Sequence, residues 1–215
     1  IKKELEMSKV KMEKPEFTTV RGRLCYTYLT GEPNEYKGNR SWSTELRFDT
    51  EDDNINASAV EDMYARMREV EKKLEAEYRK KYPKEKIVDI QSGLKDVEYD
   101  KNDNTLPPLL KVKTGVFEDS VGRGRPIFFD RVPGANGKAR QLTLEEAKEK
   151  IYAGAYAIIK GVITVFRQDN GILYLTYRPR AVQFIAHGEP MGGMVQEMDI
   201  PEDEYTEEGN ATFEV

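Results

Sequence analysis

Two long β-prone runs joined by Asp169-Asn170-Gly171 constrain this chain more than any other feature. Residues 156–167 and 172–185 are rich in β-branched, aliphatic and aromatic side chains. Asn-Gly between two such runs signals a hairpin, because both residues accept φ > 0. Register then decides which side chains share a face. A two-residue turn sets Arg167 opposite Tyr174. A three-residue turn sets Phe166 there instead and swaps the faces of the earlier strand. Either way Tyr174, Thr176 and Arg178 stand together, away from Leu173, Leu175 and Tyr177. One face of the later strand is core, and the other is polar and aromatic, a pattern suited to a nucleic-acid surface.

The same alternation recurs earlier. Residues 17–29 form an expected half-buried strand, with Val20, Gly22, Leu24, Tyr26 and Tyr28 inward and Arg21, Arg23 and Thr27 outward. Gly22 within it suggests a bend or bulge. After a turn-rich loop over 31–38, Trp42, Thr44, Leu46 and Phe48 read as inward, and Ser43, Glu45 and Arg47 as outward. Residues 57–82 are the clear helix. Ser58 and Glu61 make a capping box there, and Val60, Met63, Met67, Val70, Leu74 and Tyr78 form an apolar stripe. Its heptad run is too short to favour a dimer contact over packing on the sheet. Short strands are expected near 109–114 and 125–131, and a short helix over 142–152 with Thr143 as cap and Glu146 at the box position. The stretch 121–126 (VGRGRP) lacks the last glycine and the strand-to-helix setting of a dinucleotide fingerprint. It reads as a loop carrying Arg123 and Arg125.

Several alternating strands with one helix inserted mid-chain point to a mainly-β fold. The best match is a five-stranded oligonucleotide-binding barrel, with one long inserted amphipathic helix and a short second helix. A mainly-β sandwich built from the same strands is the alternative. The barrel domain is expected to span 1–194, after a frayed Lys/Glu-rich start, and a disordered acidic tail to span 195–215.

Charge supports that division. The chain carries 34 bases, 39 acids and a net charge of −5. Eight of the acids and none of the bases fall within 195–215, so the remainder holds 34 bases against 31 acids. Cys25 and His187 are the only cysteine and the only histidine, which argues against Cys/His zinc sites and Ser-His-Asp triads. One cysteine suits a reducing compartment. No signal peptide or membrane span is expected, so the host cytoplasm is the expected location.

Residues 151–156 (IYAGAY), the hairpin after them and residues 187–193 (HGEPMGG) resemble bacteriophage-encoded single-stranded DNA-binding proteins. The shared pattern is an aromatic-x-Gly-x-Tyr lead, a strand pair, then Gly-Glu-x-x-Gly-Gly running into an acidic tail. It covers about residues 115–215. The resemblance implies an oligonucleotide-binding fold, no catalytic activity, no cofactor, and a part in phage DNA replication and recombination.

Such binding needs cations that follow phosphates and rings on which bases stack. The candidates are Arg21, Arg23 and Arg47 on the first strands, Arg123 and Arg125 on the loop, and Tyr174, Thr176, Arg178 and Arg180 on the last strand. Trp42 is a further candidate, although its alternation places it inward. The expected partners are single-stranded DNA and replication proteins drawn by the tail. Double-stranded DNA and a homodimer stay open. The competing readings are an interaction protein whose helix and tail bind partners, and a metal-dependent nuclease. The second is poor, because the densest acids lack an apolar scaffold to fix ligand geometry.

Overall fold

The computed structural model describes residues 12–36, 38–96, 98–99, 105–116, 124–134 and 137–191. Arg123 and the proposed acidic tail lie outside them. The chain opens with β1 (Glu16–Thr18), β2 (Gly22–Cys25), β3 (Asn34–Tyr36) and β4 (Asn39–Arg47), followed by helix α1 (Ala57–Lys81). Short strands come next: β5 (Asp89–Ser92), β6 (Leu94–Lys95), β7 (Glu98–Tyr99) and β8 (Thr105–Leu106). Then follow β9 (Leu109–Gly115), β10 (Ile127–Pro133), β11 (Ala139–Gln141), helix α2 (Leu144–Lys150), β12 (Tyr156–Arg167) and β13 (Ile172–Ala186).

Among the described residues, eleven strands join one sheet, and β7 pairs with β8 apart from it. Five of the eleven pair in a cycle. β2 is antiparallel to β4 and β4 to β9, β9 runs parallel to β13, β13 is antiparallel to β12, and β12 returns to β2. Inside lie Leu24, Leu46, Leu110, Ile159, Ile163 and Tyr177, all fully buried. Inward positions alternate along these strands as the pleat requires.

The β12–β13 hairpin dominates this core, and its turn has three residues. Phe166 lies opposite Tyr174 and Thr164 opposite Thr176, while the Gln168 N–H donates to the Ile172 carbonyl at 3.0 Å. Gly171 takes φ +87°, the left-handed conformation that such a turn demands.

Helix α1 buries Val60, Met63, Met67, Leu74 and Tyr78, the stripe expected from spacing, with Val70 partly buried beside it. Its cap differs. Asn56, not Ser58, is the N-cap, accepting a hydrogen bond from the Ala59 N–H at 3.0 Å. Tyr64 completes the stripe with an edge contact to Phe48 at 5.9 Å. Helix α2 carries the expected capping box of Thr143 and Glu146.

The expected strand over 17–29 is broken. β1 pairs with β12, β2 pairs with β4, and the chain bends between them at Arg21. Beyond β2 the backbone turns at Tyr26, the one described non-glycine residue with positive φ, at 48°. Alternation fails past that point, so Tyr26 and Tyr28 face solvent instead of the core. Gly22 marks a close approach: a Cβ there would sit 2.7 Å from Leu46 Cγ.

Candidate functional site

A groove of about 430 Å³ runs across the outer face of β4, β9 and β13. Tyr26, Tyr28 and Asn34 line it from the chain between β2 and β4, and Ser43 and Glu45 from β4 itself. Lys111 and Lys113 come from β9, Gln91 and Lys95 from β5 and β6, and Tyr174 and Thr176 from β13. Each strand contributes by the same rule. Val112 and Thr114 point into the core, so Lys111 and Lys113 point out. Tyr26 is 64% exposed and Tyr28 42%, so both rings are accessible to a ligand. Left-handed backbone on a bulky residue is uncommon and costs free energy, and here it turns a ring into the groove.

Charge in the groove is arranged in two tiers. Glu45 on the floor is engaged by Arg47 at 3.3 Å and by Lys111 at 3.5 Å. Arg47 also lies over the Tyr26 ring, 5.5 Å from its centroid, which braces that ring from below. Lys95 and Lys113, by contrast, have no ion-pair partner among the described residues. One ring of the set is braced differently: Tyr174 stacks face to face on Phe166, with centroids 5.0 Å apart and planes 10° apart.

Of the residues anticipated from sequence, Tyr174, Thr176 and Arg47 gather at this groove. Others are engaged elsewhere. Arg21 reaches the Asn54 carbonyl at 3.4 Å. Trp42 is only 5% exposed, in the core where its alternation puts it, and Arg125 covers its ring at 5.0 Å while donating to the Gly31 carbonyl at 3.1 Å. Arg178 and Arg180 are exposed on β13 but do not line the groove. The groove's remaining cations, Lys95, Lys111 and Lys113, and its rings Tyr26 and Tyr28 were not anticipated. Alternation in residues 109–115 would have found two of the lysines. No local signal announces the left-handed turn at Tyr26.

Arg23 has a different task. Its Nε donates to the Gly154 carbonyl at 3.3 Å, and its terminal nitrogen to the Glu189 carbonyl at 2.7 Å. Nearby, the Tyr152 hydroxyl donates to the Gly188 carbonyl at 2.9 Å and lies 3.2 Å from His187 Nδ1. The Met191 N–H donates to the Ala153 carbonyl at 2.8 Å. The two motifs flanking the hairpin are thus pinned to one another, with Arg23 across the joint. Gly154, at φ +118°, allows this: a Cβ there would lie 2.2 Å from the Glu189 carbonyl oxygen. The nearby Cys25 thiol is buried, and burial pushes its pKa up.

No protein-family model matches the sequence, and no curated protein matches it. Solved structures do match the fold. The single-stranded DNA-binding protein from bacteriophage Enc34 superposes with a TM-score of 0.53 at 15% identity, covering 86% of this chain and 87% of its own. The same phage protein in complex with single-stranded DNA gives 0.54 at 14% identity, covering 82% and 89%. The single-stranded DNA binding protein gp2.5 of bacteriophage T7 gives 0.52 at 15%, covering 90% and 99%. The fold is the one these phage proteins share, in line with the resemblance carried by the flanking motifs.

Proposed function

We propose that this chain binds single-stranded DNA without sequence preference, in the groove on β4, β9 and β13. The observation that carries the reading is one concave face holding three tyrosine rings and several lysines. Bases of any identity can stack on the rings, and the cations follow the phosphates. The position of the groove adds support. In chain order β2, β4, β9, β12 and β13 are the five strands of the cycle, and the third lies parallel to the fifth. We read this as an oligonucleotide-binding barrel, whose second and third strands and whose first loop form the usual ligand face. Tyr26 and Tyr28 then belong to that loop and Lys111 and Lys113 to the third strand. Arg47 braces Tyr26 from behind, and Arg178 and Arg180 extend the cationic edge. The similar phage proteins are named for single-stranded DNA binding, and one is seen with it, which favours the same ligand here.

In this reading the protein has no catalytic part and needs no cofactor. It coats single strands during phage DNA replication and recombination in the host cytoplasm. Residues 195–215 act as an acidic tail that competes with DNA for the groove and recruits replication proteins. The test is anisotropy titration of labelled oligonucleotides, since Trp42 is too buried to report on a ligand. A single strand should bind much more tightly than its matched duplex. With three to five phosphate contacts the log–log salt slope should be roughly −2 to −4. Equal affinity for duplex, or a flat salt response, would overturn the proposal. Deleting residues 195–215 should tighten binding, most at low salt. An unchanged affinity there would leave the tail only a role in solubility.

A further inference from the structure

The hairpin tip lies just beyond the groove and carries groups that the groove does not use. Phe166 is 38% exposed, the one exposed position on β12, whose other side chains are buried or half-buried. Its ring is stacked on that of Tyr174, with the planes nearly parallel, so Phe166 extends the stack of rings from the groove edge toward the tip. In register, Phe166 lies opposite Tyr174 and Tyr174 opposite Gln91, which carries the groove face across three strands to this edge.

The segment leaving α1 is bound to the same tip. The Val88 N–H donates to the Gly171 carbonyl at 3.0 Å, and Asp89 pairs with Ile172. Arg167 Nε donates to the Lys86 carbonyl at 3.1 Å. Residues 79–89 hold five bases (Arg79, Lys80, Lys81, Lys84, Lys86) against two acids, Glu85 and Asp89. Some of that charge is neutralised. Arg79 pairs with Glu75 at 2.8 Å, Lys81 with Glu77 at 2.5 Å, and Glu85 accepts from the Tyr78 hydroxyl at 2.5 Å while lying 3.9 Å from Arg167. Lys84 and Lys86 are exposed and have no ion-pair partner among the described residues. An exposed ring contiguous with a stacking surface, next to uncommitted cations, is what an extended single strand requires.

We propose that the single-strand track continues past the groove, over Phe166 and onto the hairpin tip, where Lys84 and Lys86 hold its phosphates. This rests on the groove being the single-strand site. It assigns a ligand role to the segment that follows the inserted helix, so the insertion lengthens the site as well as filling the core. Phe166 supplies stacking and the two lysines supply charge, and the two contributions can be read separately.

The test uses the full chain and labelled oligothymidylates of about four and about sixteen nucleotides, the limits of site size for such barrels. Phe166→Leu keeps an apolar side chain and removes the ring. It should weaken the longer probe about tenfold and the shorter one far less, by what Tyr174 loses with its stacking partner. Lys84→Gln with Lys86→Gln should lower the salt slope for the longer probe by about 1.4 and leave the shorter one unchanged. If Phe166→Leu loosens the hairpin, seen as a lower thermal midpoint, the lysine pair still decides between the outcomes, since both lysines are exposed. Wild-type behaviour of the variants on the longer probe, while Tyr28→Ala weakens both probes, would overturn the extension and spare the groove. Equal weakening of both probes would overturn it too, placing these residues in support of Tyr174. A wild-type protein that binds neither probe would sink the groove reading and this one together.

Discussion

Two tyrosine clusters in this molecule use the same side chains to opposite ends. Behind the groove, Glu71 on α1 is 5% exposed yet fully engaged: Tyr177 donates to it at 2.8 Å, Arg68 pairs with it at 2.8 Å, and Ser92 also donates. Tyr64 stands beside them, its hydroxyl donating to the Lys95 carbonyl at 3.1 Å. Burial, with the Glu71 carboxylate beside Tyr177, pushes both phenols well above their ordinary pKa, so they act as fixed donors. In the groove, Tyr26, Tyr28 and Tyr174 sit with Lys95 and Lys113 in front of water, their rings open and the two ammonium groups without an ion-pair partner among the described residues. The polar atoms of the Glu71 cluster are satisfied by partners within the chain. Those in front are open to solvent, where the proposed ligand would meet them. A buried polar group without a partner is costly, whereas an exposed one is solvated at little cost until a ligand arrives.

That contrast can be broken deliberately. The largest effect should come from Glu71→Ala, which leaves the Tyr177 and Ser92 hydroxyls buried without their acceptor and Arg68 held by Asp96 and the Leu94 carbonyl. With two buried donors left unsatisfied, a loss of about 3 kcal/mol is expected, measured by denaturant titration, with DNA affinity of the folded fraction unchanged. A loss of binding at full stability would show that the two clusters are not separable.

Tyr28→Ala should do the reverse, weakening single-strand binding by about 1–3 kcal/mol with little change in stability. Tyr174→Ala should match it in binding, with some added cost in stability from the lost stack on Phe166. Tyr26→Asn tests the strained position, because asparagine tolerates left-handed backbone but offers no ring. It should keep the fold and lose affinity, and a protein that binds as before would remove Tyr26 from the site.

Acid provides a smaller, independent handle on the saturated side of the comparison. Asp130 on β10 is buried between Arg140 at 3.0 Å and Lys150 at 3.2 Å. Burial pushes its carboxyl up, but hydrogen bonds from Arg140 and Lys150 outweigh that and hold it below its ordinary value. A carboxylate lowered by folding contributes stability above its unfolded pKa and loses it as pH falls through the folded one. Stability should therefore decline below about pH 4, and Asp130→Asn should flatten that limb. An unchanged acid limb would mean that other carboxylates set it. The smallest effect belongs to Lys113→Gln, which should reduce the salt slope by about 0.7 and leave stability alone.

Much of the frame was legible from residues alone, for local reasons. Strand alternation in β4 and β13 and the three- and four-residue spacing in α1 are statements about side-chain direction, which period fixes before any packing occurs. The Asn-Gly turn announced the hairpin, and Thr143 with Glu146 announced α2. The turn length stayed open between two registers, because either satisfies the local chemistry and the choice lies in packing across the sheet, where Phe166 stacks on Tyr174.

The groove was less legible. Arginine was favoured as the candidate phosphate ligand, yet Arg23 and Arg125 are spent on carbonyls of distant segments. Whether a cation is free depends on what lies within a few ångströms of it, and a strand pattern does not carry that information. Tyr26 and Tyr28 were taken for core because alternation was carried through a residue whose backbone is left-handed.

What the sequence by itself determined is the set of faces: which residues of each strand and helix go together, and where the chain must turn. Tertiary structure alone decided which faces meet. It closed five strands into a cycle and set Arg23 across two motifs about 130 residues away or more. It left three tyrosines from two distant segments around one groove. Periodicity is short-range and is written in neighbouring residues. Proximity across the cycle arises only when burial of the whole core selects one arrangement of those faces.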